Sequence, residues 1–290
     1  MSFSTQRARV YYQLTKPGII RGNLLVTAAG FLFGASSGFA LTPFLGVIFG
    51  TIFIIASGCV FNNYLDRGID SKMERTKKRA LVSGEVTARQ AITFGALLAA
   101  LGILTLALWT NGLTLALGIT GLFFYVVVYG WAKRASVHGT LIGSIPGAIP
   151  PVAGYTAATG QLDVLALLLF LVLVFWQMPH FYAIAIYRLK DYKAAKLPVL
   201  PAVKGICKTK AQMLCYTAGF VLVILAFYMF TGASYSFTII MSLIGLYWLY
   251  LAAQGFRAPN TDAWARSFFK FSLLVLLALA LLLSLNSILP

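Results

Sequence analysis

The chain has 290 residues, of which 60% are hydrophobic and only 10% are charged. Soluble proteins carry about 25% charged residues, so this composition excludes an ordinary soluble domain and indicates an integral membrane protein. The net charge of +16 raises the question of a nucleic-acid partner. The basic residues, however, lie between apolar runs, where topology and anion binding explain them, and we expect no nucleic-acid partner.

Apolar windows of about 20 residues, the length that crosses a bilayer as a helix, predict nine transmembrane segments. They cover residues 18–38, 43–64, 91–109, 112–131, 139–158, 163–187, 212–231, 235–254 and 268–287. The fifth window is rich in Gly and Pro, which predicts a kinked helix against a cavity. The fold class is therefore an all-α polytopic membrane protein in one domain, residues 1–290.

The distribution of basic residues predicts the orientation of these segments. With the N-terminus inside, the inner segments are 1–17, 65–90, 132–138, 188–211 and 255–267. Every Lys and Arg falls in these segments or within about a turn of them, with Arg21 and Lys270 at the edges. The pattern predicts an N-in, C-out protein, and a bacterial inner membrane is its simplest location.

Three oxygen-bearing side chains, Asn62, Asp66 and Asp70, recur at intervals of four where the second predicted span ends. On a continuing helix this spacing places them on one face. They suit a hard cation such as Mg²⁺. Cations that suit the phosphates of such a metal complex follow at Lys72, Arg75, Lys77, Lys78 and Arg79.

The structural alternative is a helix end whose carboxylates only pair with nearby cations such as Arg67, Lys72 and Arg75. A charge at the middle of a bilayer costs about 2.5–3.5 kcal/mol, and less at the interface. Because polar groups are costly there and a basic loop adjoins them, we favour a functional site.

Three further polar groups lie in or beside predicted spans. Tyr129 and Lys133 are either a site element or an interfacial aromatic with an ordinary positive-inside anchor. Arg21 and Asn23 lie one to two turns inside the first span. Arg21 can extend to the surface, whereas Asn23 is too short to do so and is predicted to face the interior.

The third group is Trp176–Tyr182, which continues to Arg188–Tyr192. Gln177 and His180 lie within the sixth span, where a polar side chain should face a cavity or a partner helix. For His180 an interhelical hydrogen bond, substrate contact and ligation of a metal centre all remain open.

Together these motifs resemble the UbiA-type intramembrane prenyltransferase superfamily, and within it the branch that farnesylates heme. The resemblance covers nearly the whole chain. It includes the blocks at 15–18, 56–79, 139–144 and 150–152, and it is strongest at 176–180, 191–192, 198–201 and 203–205, which are characteristic of the heme branch.

The resemblance implies nine helices around a central cavity that opens to the cytoplasm and to lipid. It implies that a farnesyl group passes from farnesyl diphosphate to a vinyl group of heme b, with addition of water, giving heme O and diphosphate. Heme b, farnesyl diphosphate and the lipid bilayer are then its partners, with a heme A synthase or terminal oxidase downstream.

The resemblance also implies roles for individual residues. Asn62, Asp66 and Asp70 would be catalytic and would hold Mg²⁺. The diphosphate would be bound by Arg67, Lys72, Arg75, Lys77, Arg79, Tyr129 and Lys133. Heme would be contacted by Arg21, Asn23, Trp176, Gln177, His180, Tyr182, Arg188, Lys190 and Asp191.

One departure from the superfamily pattern concerns the number of metal ions. Members that act on aromatic acids and quinone precursors usually carry a second Asp-rich motif after the sixth span, whereas this chain has a single carboxylate there, Asp191. One Mg²⁺ site is therefore expected, and a second stays open. Arg188 and Lys190 would neutralise phosphate or bind the heme propionates instead.

Two alternative functions are open. The first is prenylation of a quinone-type aromatic acceptor, against which the missing second motif argues. The second is a transporter or a non-catalytic heme-handling protein. Acids at metal-binding spacing beside a cationic loop argue against that class, because heme binding alone does not need them.

Overall fold

The computed structural model describes residues 3–35, 38–231 and 233–290. Within these ranges the regular structure is helical and contains no strand. In chain order the α-helices are α1 (Phe3–Leu14), α2 (Pro17–Gly34), α3 (Leu41–Asp70), α4 (Ala80–Ser83), α5 (Ala88–Trp109), α6 (Gly112–Phe123), α7 (Tyr129–Ala135), α8 (Gly139–Thr159), α9 (Val164–Tyr187), α10 (Leu189–Ala194), α11 (Leu200–Val203), α12 (Ile206–Thr231), α13 (Tyr235–Gln254) and α14 (Thr261–Leu285).

Eight helices in the described ranges are long and apolar enough to cross a membrane. The prediction of an all-α, multi-pass membrane protein is therefore confirmed. The predicted fifth span coincides with α8, which has the length of a span but lies outside this apolar set. The count of nine spans and the N-in orientation remain predictions.

The second predicted span continues as helix well beyond its apolar run. α3 extends over 30 residues, from Leu41 to Asp70, and packs along α5. Ser57 Oγ donates to the carbonyl of Gly95 at 2.8 Å and ties the two helices together. Because the helix is unbroken, Asn62, Asp66 and Asp70 keep the interval of about one turn that places them on one face.

α8 occupies a central position, because it packs against α2, α6 and α9. Its glycines permit close backbone approach to α2. A Cβ atom at Gly154 would lie 2.0 Å from the carbonyl oxygen of Thr27, and one at Gly30 would lie 2.1 Å from that of Pro151. Pro146, Pro150 and Pro151 lie inside this helix, which is mostly buried.

The largest apolar core joins α9 to α12, α13 and α14. The ring of Trp248 stacks on that of Phe268, with ring centroids 5.4 Å apart. Lys210 anchors the same region, since its Nζ donates to the carbonyl of Gly255 at 2.7 Å and to Thr261 Oγ1 at 3.1 Å. These contacts fix the position of α9 relative to α14, and both helices carry residues that line the site.

Candidate functional site

A cavity of about 1450 Å³ lies between these helices. Along α3 it is lined from Thr51 to Asp70, which at 1.5 Å per residue corresponds to about 28 Å of helix. Polar side chains line it near the ends of α3 and α9. Apolar side chains line its interior, and we call them the apolar wall: Ile54, Leu106, Leu122, Ile149 and Leu276.

Asp66 and Asp70, which we call the acidic pair, are both buried and both line the cavity. Asp66 Oδ2 accepts a hydrogen bond from Lys133 Nζ, and its Oδ1 accepts one from Arg134 Nη2 at 3.0 Å. Both cations come from α7. The Asp66 carboxylate thus joins α3 to α7 through two charged partners.

Asp70 is neutralised by a residue of the loop that follows α3. Its Oδ2 accepts from Arg79 Nη1 at 2.6 Å, and its side chain is only 3% exposed. Thr76 Oγ1 donates to the backbone carbonyl of Asp70 at 2.9 Å. The basic loop therefore folds back over the end of α3 and brings Arg79 into the cavity lining.

The amide of Asn62 is held by a residue that sequence reasoning did not assign to the site. Lys16 Nζ donates to Asn62 Oδ1 at 2.8 Å. Lys16 has φ 52 and ψ 67, a left-handed conformation that is uncommon for a residue with a side chain, and precedes Pro17. Such strain persists only where surrounding structure imposes it, and it concentrates at functional sites.

Lys16 also has a perturbed ionisation equilibrium. Burial lowers the pKa of its ammonium group to about 8, and the positive charges of Arg79 and Lys133 act in the same direction. Asp66 acts in the opposite direction. The side chain is therefore a cation near neutral pH whose charge is lost more easily than that of an ordinary lysine.

A short π-helical segment, Phe124–Val128, connects α6 to α7. Isolated π-turns are frequent at functional sites because they re-aim side chains. Here Tyr125 and Tyr129 stack with ring centroids 5.7 Å apart, and both line the cavity. The segment precedes Lys133 by one turn, and no feature of the apolar pattern in the sequence distinguishes it from α-helix.

Trp176, Gln177 and His180 of α9 also line the cavity, and we call them the acceptor cluster. The Trp176 and His180 rings stack with centroids 4.7 Å apart and planes at 26°. Gln177 Nε2 donates to the carbonyl of Ser144 at 3.1 Å. A Cβ atom at Gly147 would lie 2.0 Å from Gln177 Oε1, so glycine leaves space for that amide.

His180 both makes an interhelical hydrogen bond and lines the cavity. Its Nδ1 is 2.7 Å from Ser272 Oγ of α14, so an interhelical hydrogen bond is present. Its ring also lines the cavity. Trp176 Nε1 donates to the backbone carbonyl of the same Ser272 at 2.8 Å, so one residue of α14 orients both rings.

Most of the residues predicted from sequence meet in this one cavity. Those in its lining are Arg21, Asn23, Asn62, Asp66, Asp70, Arg75, Arg79, Tyr129, Lys133, Trp176, Gln177, His180 and Arg188.

Other predicted residues lie outside the lining. Arg67 donates to the carbonyl of its neighbour Tyr64 at 2.8 Å, and Lys77 pairs with Glu74 at 2.6 Å on the surface. Tyr182 donates to Gln212 Oε1 at 2.9 Å. The structure also keeps Lys72, Lys190 and Asp191 out of the lining.

Several lining residues were not predicted, including Arg9, Lys16, Tyr125 and Tyr192. Burial is the main cause that raises the pKa of Tyr192, so its phenol stays protonated and can donate a hydrogen bond. Lys16 had a signal in sequence, since it precedes the Pro that begins the first span. The contacts of the others depend on helix packing.

Cations outnumber carboxylates in the lining. The acidic side chains there are Asp66, Asp70 and Glu85, whereas the basic ones are Arg9, Lys16, Arg21, Arg75, Lys78, Arg79, Lys133 and Arg188. An excess of positive charge next to a low-dielectric wall attracts and stabilises polyanions. The site can therefore bind a compound that combines an anionic group with a long apolar chain.

Two relatives with similar sequences have the same name. Protoheme IX farnesyltransferase of Yersinia enterocolitica is 44% identical over 281 residues, which cover 97% of this chain and 95% of that protein. The protein of the same name from Protochlamydia amoebophila is 47% identical over 274 residues, covering 93% and 96%.

Solved structures share the fold. A digeranylgeranylglyceryl phosphate synthase superposes with a TM-score of 0.80 at 20% identity, covering 98% of this chain and 99% of that one. A UbiA homologue from Archaeoglobus fulgidus bound to GPP and Mg²⁺ gives 0.71 at 16% identity, covering 95% and 99%. The model of the UbiA prenyltransferase family matches residues 23–285. The chain therefore belongs to the UbiA prenyltransferase family.

Proposed function

We propose that this protein transfers the farnesyl group of farnesyl diphosphate to a vinyl group of heme b, with addition of water, giving heme O and diphosphate. One observation carries the proposal. The acidic pair, Arg79, Lys133 and the acceptor cluster line a single cavity that also contains the apolar wall. The name of relatives 44% and 47% identical over most of their length supports the same reaction.

The diphosphate is assigned to the end of the cavity that holds the acidic pair. Arg79 and Lys133 already lie within hydrogen-bonding distance of these carboxylates, and Lys16 and Arg75 lie in the same lining. Tyr129 is the neutral donor among them. Residues outside the lining, such as Arg67 and Lys77, are not part of this proposal.

The acidic pair fits Mg²⁺. The described residues contain no group of three or more His, Cys, Asp or Glu side chains that could hold a metal alone. Mg²⁺ commonly needs only one or two carboxylates, with substrate phosphates and water as its remaining ligands. Asp66 and Asp70 would hold it with the oxygen of Asn62 beside them, and the A. fulgidus homologue bound to GPP and Mg²⁺ supports this.

Bound Mg²⁺ would neutralise negative charge on the departing diphosphate. The protein's own cations act on the same charge. With the acidic pair holding the metal, Lys133 and Arg79 would be free of their carboxylate partners and could pair with phosphate oxygens. A unit charge pair about 4 Å apart interacts by roughly 4 kcal/mol at an effective dielectric constant of about 20.

Cleavage of the allylic C–O bond leaves positive charge on the farnesyl chain. The apolar wall surrounds that chain and keeps water away, which slows hydrolysis before the vinyl carbon is reached. About 1.4 kcal/mol changes a rate tenfold, so donors that strengthen their contacts only as the diphosphate departs have a large effect.

Heme b is assigned to the end that holds the acceptor cluster. The stacked Trp176 and His180 rings provide a flat apolar face, and Arg188 in the same lining is a candidate partner for a propionate. We further propose that the protein lies in a bacterial inner membrane with this site towards the cytoplasm, as the arrangement of its basic segments indicates.

The activity is tested with purified protein in detergent or nanodiscs, incubated with Mg²⁺, farnesyl diphosphate and heme b. We expect a product with the mass of heme O, formed only when all three are present. If heme stays unmodified while a quinone precursor is prenylated, the protein has the alternative acceptor and the proposal is wrong.

Asp66→Ala and Asp70→Ala are expected to lower farnesyl transfer at least about 100-fold, or roughly 2.7 kcal/mol of transition-state stabilisation. Each change removes a carboxylate for Mg²⁺ and leaves cations facing the cavity. Asp262→Ala, which replaces an exposed acid at the start of α14, is the matched control. Full activity of purified Asp70→Ala would exclude the metal role.

The affinity for inorganic diphosphate is expected to depend on the charge of Lys16. The ammonium is charged below its pKa of about 8, so this contribution is present at lower pH and is lost as the pH rises through that value. Diphosphate itself becomes more negative over the same range, so the measurement compares wild type with Lys16→Arg by calorimetry.

Lys16→Arg should keep its positive charge throughout because arginine does not deprotonate in this range. We therefore expect the affinity ratio of wild type to Lys16→Arg to fall between about pH 7 and about pH 9. A constant ratio would show that Lys16 does not contact the anion.

His180→Ala is expected to weaken binding of heme b more than binding of metal-free protoporphyrin IX. A neutral imidazole can ligate iron, and only heme b offers that bond. Absorption titrations of both porphyrins give the two affinities. Equal losses would mean that His180 acts on the porphyrin ring or on water, and unchanged affinities would restrict it to a structural role.

A further inference from the structure

His180 has two ring nitrogens with different surroundings, and among the described residues only Nδ1 has a hydrogen-bond partner. Nδ1 is 2.7 Å from Ser272 Oγ. Ser272 is fully buried on α14 and is itself outside the cavity lining. Which nitrogen carries the proton decides whether the other presents a lone pair or an N–H group to the cavity.

The hydrogen bonds of Ser272 indicate which nitrogen of His180 carries the proton. Its Oγ is 2.6 Å from the backbone carbonyl oxygen of Phe269, which can only accept. A hydroxyl has one proton, and that proton is used in this bond. With the proton in this bond, Ser272 Oγ is an acceptor towards His180, which assigns the imidazole proton to Nδ1.

We infer that Ser272 is a positioning residue that holds His180 in the Nδ1–H tautomer, so that Nε2 carries the free lone pair for the acceptor site. The same residue fixes the second ring of the pair, because its carbonyl accepts from Trp176 Nε1 at 2.8 Å. The stacked arrangement of Trp176 on His180 then restrains the imidazole plane. The aromatic ring of Phe269 also contacts the imidazole, with ring centroids 4.8 Å apart and planes at 39°.

The physical reason lies in the cost of the alternative tautomer. With the proton on Nε2, the Ser272 hydroxyl has two arrangements, and each leaves one close contact without a proton. If the hydroxyl keeps its bond to Phe269, the lone pairs of Nδ1 and Oγ oppose each other at 2.7 Å. If it turns to Nδ1, Oγ lies 2.6 Å from the Phe269 carbonyl oxygen with no proton between them, and an unsatisfied buried polar contact is unfavourable. Ring nitrogens that bind metals are commonly set in this way by the hydrogen bond of the other nitrogen.

The tautomer is measured directly by ¹⁵N magnetic resonance of the full chain in lipid, with labelled histidine. The chain has two histidines, so His138→Gln leaves a single residue to observe. We expect a protonated Nδ1 and an unprotonated Nε2. A proton on Nε2 in this parent protein overturns the inference, whether or not any further variant folds.

Ser272→Ala removes the acceptor and should shift His180 towards the Nε2–H form, whereas Ser272→Thr retains the hydroxyl and should retain the Nδ1–H form. Ser284→Ala is the matched control. It removes a partly buried hydroxyl of the same helix that donates to the carbonyl of Ala280 at 2.8 Å, and it should leave the tautomer unchanged. An unshifted tautomer in folded Ser272→Ala overturns the role of Ser272.

A second readout rests on the proposed function. Ser272→Ala should weaken heme b binding by about tenfold, the lower end for outer-shell partners of a ligating histidine, and leave protoporphyrin IX binding within the range of Ser284→Ala. The two proposals fail separately. If the protein makes no heme O but shows the Nδ1–H form, only the proposed function is wrong. If it makes heme O but shows the Nε2–H form, only the role of Ser272 is wrong.

Discussion

The pairing of two buried carboxylates with cations from elsewhere in the chain is the interaction on which this structure depends. An unpaired charge is expensive to bury, and breaking a buried pair by removing one partner typically costs about 3–5 kcal/mol. Asp66 is paired by two residues of α7, and Asp70 by Arg79 of the following loop. These pairs draw α7 and the basic loop onto the end of α3, and they also assemble the cations that a diphosphate requires.

Packing sets the other boundary of the cavity. α8 can lie directly on α2 because Gly154 and Gly30 present no side chain at the contact. Further along α8, Gly147 leaves room for the Gln177 amide of the acceptor cluster, since a Cβ atom there would lie 2.0 Å from Gln177 Oε1. Charged side chains, the apolar wall and the acceptor cluster therefore line one cavity, as a reaction between a prenyl diphosphate and a flat acceptor needs.

Some site residues could be predicted from local pattern and others could not. Asn62, Asp66 and Asp70 were predicted on one face because helical periodicity alone places them there. The π-helical turn before Tyr129 was missed, since its apolar residues resemble those of an ordinary helix. Arg67 and Lys77 were predicted as phosphate ligands because the resemblance implies that role; they contact Tyr64 and Glu74 and lie outside the cavity lining.

The sequence by itself determined the membrane class, the position of the long helices and the spacing of the acidic motif, because apolar length and periodicity are local properties. Only the tertiary structure decided which cation meets which acid and which nitrogen of His180 is free. Lys16 and Asn62 are 46 residues apart, Lys133 and Asp66 are 67 apart, and His180 and Ser272 are 92 apart. No local pattern specifies contacts at such separations, since they arise only when packed helices bring the side chains within hydrogen-bonding distance.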